Sequence, residues 1–250
     1  MAKSKSYNQE IMWEEHTLGM SPESIVDNIR HPSAFQTELS AYLNDELGGK
    51  GSVIEAGCES GVTSFLLNCD KRCFLDLNSQ IIEKVKSAHL IFQPERDEDI
   101  FVAGDLFNMP FEDNTFDVCF NAGVLEHFSS DEIVCALREM KRVVKKSGLI
   151  VVAIPNHYCG VYRSAYLYGL ILDKLGIRKW EWPRENKYYD LRREIKKAGL
   201  LADDRMTLSK DSIWNWWGGR RYLLIRTVFR LVDMIKPFDG YLTVLPMRKE

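Results

Sequence analysis

The chain has 250 residues, 45% hydrophobic and 28% charged, proportions that exclude a disordered or fibrous polymer and suit one α/β domain. No apolar run approaches the roughly 18 to 20 residues of a transmembrane helix. The polar start Met1-Ala2-Lys3-Ser4-Lys5-Ser6 lacks the apolar centre of a signal peptide, so a cytoplasmic location is expected. The net charge of −3 divides unevenly, about −11 over residues 1–156 and about +8 over 157–250, where five of six tryptophans and eight of ten tyrosines also lie.

Residues 1–50 read as an N-terminal helical or lid segment, with a helix from Ala34 to Leu47 after His31-Pro32-Ser33. From residue 52 to about 155, short apolar runs alternate with helical patterns, as in consecutive βα units. Strands are predicted at Ser52–Ala56, Cys73–Asp76, Ile100–Ala103, Phe116–Asn121 and Leu149–Ile154. Between them, Ile81 to Phe92 has helical spacing. Asp131 to Lys146 is amphipathic, with Lys141, Arg142, Lys145 and Lys146 in its last turns and Ser147-Gly148 as its stop.

Tyr189 to Ala198 reads as a helix ending at Gly199. Strands near Ala202–Leu208 and Tyr241–Pro246 complete a seven-stranded, mostly parallel, Rossmann-like sheet with helices on both faces. Residues 157–186 and 209–237 break the alternation and read as cap insertions near its carboxyl edge. The whole, 1–250, is expected to be one domain with its ligand-binding core at 51–156. The six cysteines show no CxxC pair, four of them lying in apolar runs, which favours a reducing compartment and no metal.

Ligands of such sheets bind where strands end. The first strand ends Glu55-Ala56-Gly57-Cys58-Glu59-Ser60-Gly61 and the second at Asp76, whose carboxylate can accept both hydroxyl protons of a ribose. The third ends Gly104-Asp105-Leu106 and the fourth Asn121-Ala122-Gly123. Gly57 and Gly61 are not spaced as the G-x-G-x-x-G that cradles a pyrophosphate, and a carboxylate before Gly57 would repel one. The loop instead suits a head carrying an ammonium and a sulfonium, so a nicotinamide dinucleotide is disfavoured.

These stretches, with Met109-Pro110-Phe111, Asn114-Thr115-Phe116-Asp117-Val118, Val124-Leu125-Glu126-His127 and Leu137-Arg138-Glu139-Met140 before Ser147-Gly148-Leu149, resemble class I S-adenosylmethionine-dependent methyltransferases over residues 50–156. The likeness is greatest to the small-molecule branch that includes ubiquinone and menaquinone biosynthesis enzymes. The resemblance implies that Glu55, Gly57, Cys58 and Gly61 border the methionine end of S-adenosylmethionine, with S-adenosylhomocysteine as product. It places Asp76 on the ribose, Leu77 against the adenine, Asp105 and Leu106 at its amino edge, and Asn121 beneath the sulfur. One departure stands out: Glu59 occupies the place of the family's middle glycine, and a positive φ there would cost on the order of 1 kcal/mol.

An oxygen or carbon nucleophile must lose a proton, which suits a histidine. His127 is the first candidate for a general base, against a capping or packing role, and His157 and Tyr158 come second. His16, His31 and His89 read as surface or packing residues. Some quinone-type relatives bind a metal through Glu-x-x-Glu-His; here Gly123 stands in place of the first carboxylate, so no metal is expected.

Tyr158, Tyr162, Tyr166, Tyr168, Trp180 and Trp182, then Trp214, Trp216 and Trp217, read either as a pocket lining or as ordinary core. Arg220, Arg221, Arg226 and Arg230 among apolar residues suit a basic amphipathic helix over 220–236. That helix would rest on a membrane surface, meet an acidic amphiphilic acceptor, or pack on its own domain. The expected activity is methyl transfer to an O, N or C nucleophile of a small molecule. The alternatives are a non-catalytic binding protein of the same fold and a nucleic-acid methyltransferase. Against the last, and against a nucleic-acid partner, Asn121-Ala122-Gly123-Val124 has no Pro-Pro-aromatic motif.

Overall fold

The computed structural model describes residues 17–177, 185–208 and 240–249. Its strands are β1 (Ser52–Ala56), β2 (Lys71–Asp76), β3 (Ile100–Ala103), β4 (Phe116–Ala122), β5 (Val144–Pro155), β6 (Leu200–Ala202), β7 (Met206–Leu208) and β8 (Leu242–Lys249). The first five are parallel in the order β3-β2-β1-β4-β5, and β8 runs antiparallel beside β5. The strand order therefore reverses between β1 and β4, which opens a crevice at their carboxyl ends.

The expected strand near 202–208 is two pieces, β6 and β7, both antiparallel to the outer side of β8. This makes eight strands where seven were predicted, and Pro246 gives the reason. Its carbonyl accepts from the Asp203 amide at 2.9 Å, so its nitrogen faces the same edge and has no hydrogen to donate there. The edge strand breaks opposite it. Beyond Pro246, β8 continues to Lys249 and does not stop where the proline suggested.

The helices are α1 (Pro22–Arg30), α2 (Ala34–Leu47), α3 (Val62–Phe65), α4 (Ser79–Phe92), α5 (Ser130–Val143), α6 (Gly160–Lys174) and α7 (Arg192–Lys197). Alternation along the strands sends Val53, Phe74, Val118 and Phe120 to one face, against α1 to α4, and Ile54, Cys73, Cys119 and Ile150 to the other, against α5 and α7. Leu39 and Leu43 of α2 are fully buried on Val53 and Phe120, so this helix packs beside the sheet.

Two helix boundaries differ from expectation. The helix predicted to reach Lys146 ends at Val143, because Val144 already pairs with Phe116. The register then jumps so that Val118 faces Leu149, and 145–148 bulge out. Lys145 leaves the helix to bond the Asp117 carboxylate at 2.8 Å. Gly148 is no helix cap: a Cβ there would lie 2.6 Å from the Asp117 carbonyl. The helix predicted from Tyr189 begins only at Arg192. Among the described residues no helix is long and apolar enough to cross a membrane.

Candidate functional site

The loop after β1 is folded by its own main chain. The amides of Gly57 and Cys58 both donate to the Leu75 carbonyl, at 2.8 and 2.9 Å, and the Gly61 amide donates to the Cys58 carbonyl at 2.7 Å. Gly57 (φ 83°) and Gly61 (φ 66°) are left-handed, and neither tolerates a side chain. A Cβ would stand 2.8 Å from Val124 at the first and 2.7 Å from the Phe74 ring at the second.

Glu59 lies between them with φ 47°, the strained conformation anticipated for it. Its amide compensates by donating to one Asp76 oxygen at 2.9 Å, while the other oxygen accepts from Asn78 at 3.0 Å.

Three carboxylates thus surround the loop. Glu55, 5% exposed, takes a bond from the Ser64 hydroxyl at 2.6 Å, and burial pushes its carboxyl up to about 8, with help from Glu59 and Asp76. Burial also raises Asp76, against the bonds from Asn78 and Glu59. Carboxyls desolvated and crowded in this way are relieved by a cation, beside which they ionise, whereas a phosphate would gain nothing from them.

Around this mouth, Leu77 is 67% exposed, a free apolar surface next to Asp76. Asp105 is exposed beyond β3 and accepts from the Phe107 amide at 2.9 Å. The Leu106 and Cys58 side chains turn into the core, leaving only their main chain to face a ligand. Asn121 is fully buried and its amide ties the end of β4 to the Ala56 carbonyl, leaving its own oxygen without a partner.

All nine residues expected to hold a ligand therefore lie at or just beyond the carboxyl ends of four adjacent strands. His127 is half-buried on a single 3-10 turn, Leu125–His127, that follows β4.

A second cluster lies beyond β4 and β5. Glu126 is 3% exposed, one carboxyl oxygen has no partner, and burial pushes it up to about 8, with Glu185 adding to the effect. The Tyr162 hydroxyl donates to the Glu185 carboxylate, and the Tyr162 ring meets Tyr241 edge-on at 5.1 Å and His157 at 5.7 Å. The Asn186 amide donates to the Glu126 carbonyl at 2.7 Å, fastening 185–186 to the turn after β4.

The density of Tyr and His over 157–168 hinted at part of this cluster. Glu185, Tyr241 and the Ser64 partner of Glu55 carried no such signal. Trp180, Trp182, His16, the Trp214-Asn215-Trp216-Trp217 stretch and the 220–236 segment with its arginines lie outside the described residues.

Residues 54–152 match the family described as "Methyltransferase domain". An uncharacterized protein of Methanocaldococcus jannaschii is 28% identical over 104 residues; the chain matches 40% of that protein's length, using 42% of its own. Among solved structures, the fold is shared with the methyltransferase in a Haloferax volcanii complex with a methyltransferase activator (TM-score 0.61, 14% identity, 90% of this chain and 93% of that one). It is shared too with geranyl diphosphate C-methyltransferase of Streptomyces coelicolor A3(2), solved with Mg2+, geranyl diphosphate and S-adenosyl-L-homocysteine (0.56, 13%, 84% and 76%). A third is the YcgJ protein of Bacillus subtilis (0.55, 14%, 86% and 99%).

Proposed function

Because residues 54–152 are a methyltransferase domain, we propose that the chain transfers the methyl group of S-adenosylmethionine to an O, N or C nucleophile of a small, acidic or amphiphilic molecule. The observation that carries this reading is the acidic mouth formed by Glu55, Glu59 and Asp76 around a loop whose Gly57 and Gly61 present bare main chain.

The cofactor, when bound, supplies an activated methyl group on a sulfonium. The residues present fit it. Asp76 keeps lone pairs for ribose hydroxyls beyond the two amide bonds it accepts. Leu77 offers an apolar face to the adenine, Asp105 an acceptor to its amino group, and Leu106 its main chain. Glu55 and the loop through Gly57, Cys58 and Gly61 meet the ammonium end. Asn121 fixes the floor by locking β4 to β1. What remains for the chain is to align the acceptor, exclude water and take a proton. In this reading His127, on the turn after β4, is a candidate for the last task. The six cysteines, all free thiols, agree with a reducing compartment such as the cytoplasm.

The test is calorimetric titration with S-adenosylmethionine, S-adenosylhomocysteine and NAD, repeated on Asp76→Ala and Asp76→Asn. Micromolar binding of the two sulfur compounds, absence of NAD binding, and loss in both variants with unchanged thermal melting support the reading. Binding of NAD alone, or of nothing, sinks it.

A further inference from the structure

Apart from the strand-end mouth, an open concavity of about 400 Å³ lies between α6 and residues 187–189. Among the described residues its lining holds two cations, Arg163 and Lys187, and no carboxylate; Tyr166, Leu167 and Leu170 give it an apolar wall. Neither cation has an ion-pair partner among the described residues. Two cations with no ion pair among the described residues, set over an apolar wall, suit an anion with an apolar body.

His157 also lines this concavity, and it is 6% exposed. Its ring packs against those of Tyr162 and Tyr189, 5.7 and 5.8 Å away. Nε2 is buried with no partner among the described residues. Burial, with Lys187 and Arg163 nearby, holds the imidazole below its ordinary range and favours its neutral form, in which one ring nitrogen carries a free lone pair. A buried acceptor without a donor is a deficit that a ligand O–H removes.

We propose that this concavity binds an organic hydroxy acid, with its carboxylate between Arg163 and Lys187, its hydroxyl donating to His157 Nε2, and its body along Tyr166, Leu167 and Leu170. That this ligand is the methyl acceptor rests on the function proposed above; the chemistry of the site does not. In that role Nε2 takes the hydroxyl proton and the electron pair stays on the oxygen, so the imidazole that receives the proton is His157 and not His127.

The test is calorimetry on the full chain saturated with S-adenosylhomocysteine, using four probes: phloretate, which carries a phenol and a carboxylate; hydrocinnamate, which lacks the phenol; para-ethylphenol, which lacks the acid; and phenyltrimethylammonium. Phloretate binds tightest, about 10-fold or more ahead of either half-ligand. His157→Phe, which keeps a ring in place, erases the preference for phloretate over hydrocinnamate. The Arg163→Gln/Lys187→Gln pair erases the preference over para-ethylphenol, and S-adenosylhomocysteine binds all variants equally. Equal affinity for all probes, tighter binding of the ammonium probe, or no binding of either acid overturns the proposal. Failure of S-adenosylhomocysteine to bind sinks the methyl-transfer reading instead, and the probes titrated alone still decide the hydroxy-acid site.

Discussion

The two sides of the strand-end crevice are built in different ways. On the β1–β3 side, the geometry comes from main chain. Consecutive amides close on Leu75, and two left-handed glycines leave no room for substitution. On the β5 side, it comes from side chains far apart in sequence, Glu126, His157, Tyr162, Glu185 and Tyr241, held by one another. The first construction fixes one ligand and tolerates little change, while the second can alter its ligand by exchanging side chains.

Gly61→Ala strikes the main-chain construction most directly. A left-handed Cβ in contact with the Phe74 ring costs about 3 kcal/mol or more, read by urea denaturation. If this variant is as stable as the parent, the rigidity ascribed to that side is wrong.

Next in size is a pH effect that both sides share. Glu55 and Glu126 hold their protons to about pH 8 in the fold, against an ordinary 4.5. Their contribution to stability is full below pH 4.5 and is lost as pH rises toward 8. Glu55→Gln and Glu126→Gln each flatten urea-derived stability between pH 5 and 9. Only Glu55→Gln also removes the rise of S-adenosylmethionine affinity with pH that pairing an ammonium with this carboxyl produces.

Tyr162→Phe strikes the side-chain construction. Removing the hydroxyl that bonds Glu185 costs about 1 to 2 kcal/mol by denaturation and leaves S-adenosylhomocysteine affinity unchanged. A shift in that affinity would show that the two sides are coupled. Glu59→Gly relieves the left-handed strain and stabilises by about 0.5 to 1 kcal/mol, visible as a raised melting temperature. Smallest is Gly160→Ala: nothing lies within 4 Å of a Cβ there, so the helix start gains about 0.5 kcal/mol. Set beside Gly61→Ala, the same substitution changes sign between the two sides.

The same contrast governs what could be read from sequence. Apolar runs ending in Glu55, Asp76, Asp105 and Asn121 announce strands and a site together, because a βα unit carries its functional residues at its own end. The start of α2 after Ser33 was legible too, and there the Ser33 amide donates to the Gln36 side chain at 2.9 Å.

Contacts between distant segments were not legible. Arg72 is 1% exposed and paired with Asp99, whose side chain is wholly buried, with His89 at 3.5 Å; the strand pattern suggested nothing of the kind. The end of α5 was misplaced because pairing of Val144 with Phe116 overrode a continuing helical pattern. Glu126, read only as half of an absent metal motif, owes its burial to residues 185–186, about 60 positions away.

The proline in β8 bears on how copies of this protein behave together. A sheet margin made of two three-residue pieces, interrupted opposite Pro246, offers an approaching strand no unbroken row of amides and carbonyls to zip onto. The residue that costs the fold one ladder bond also makes its open side a poor template for aggregation.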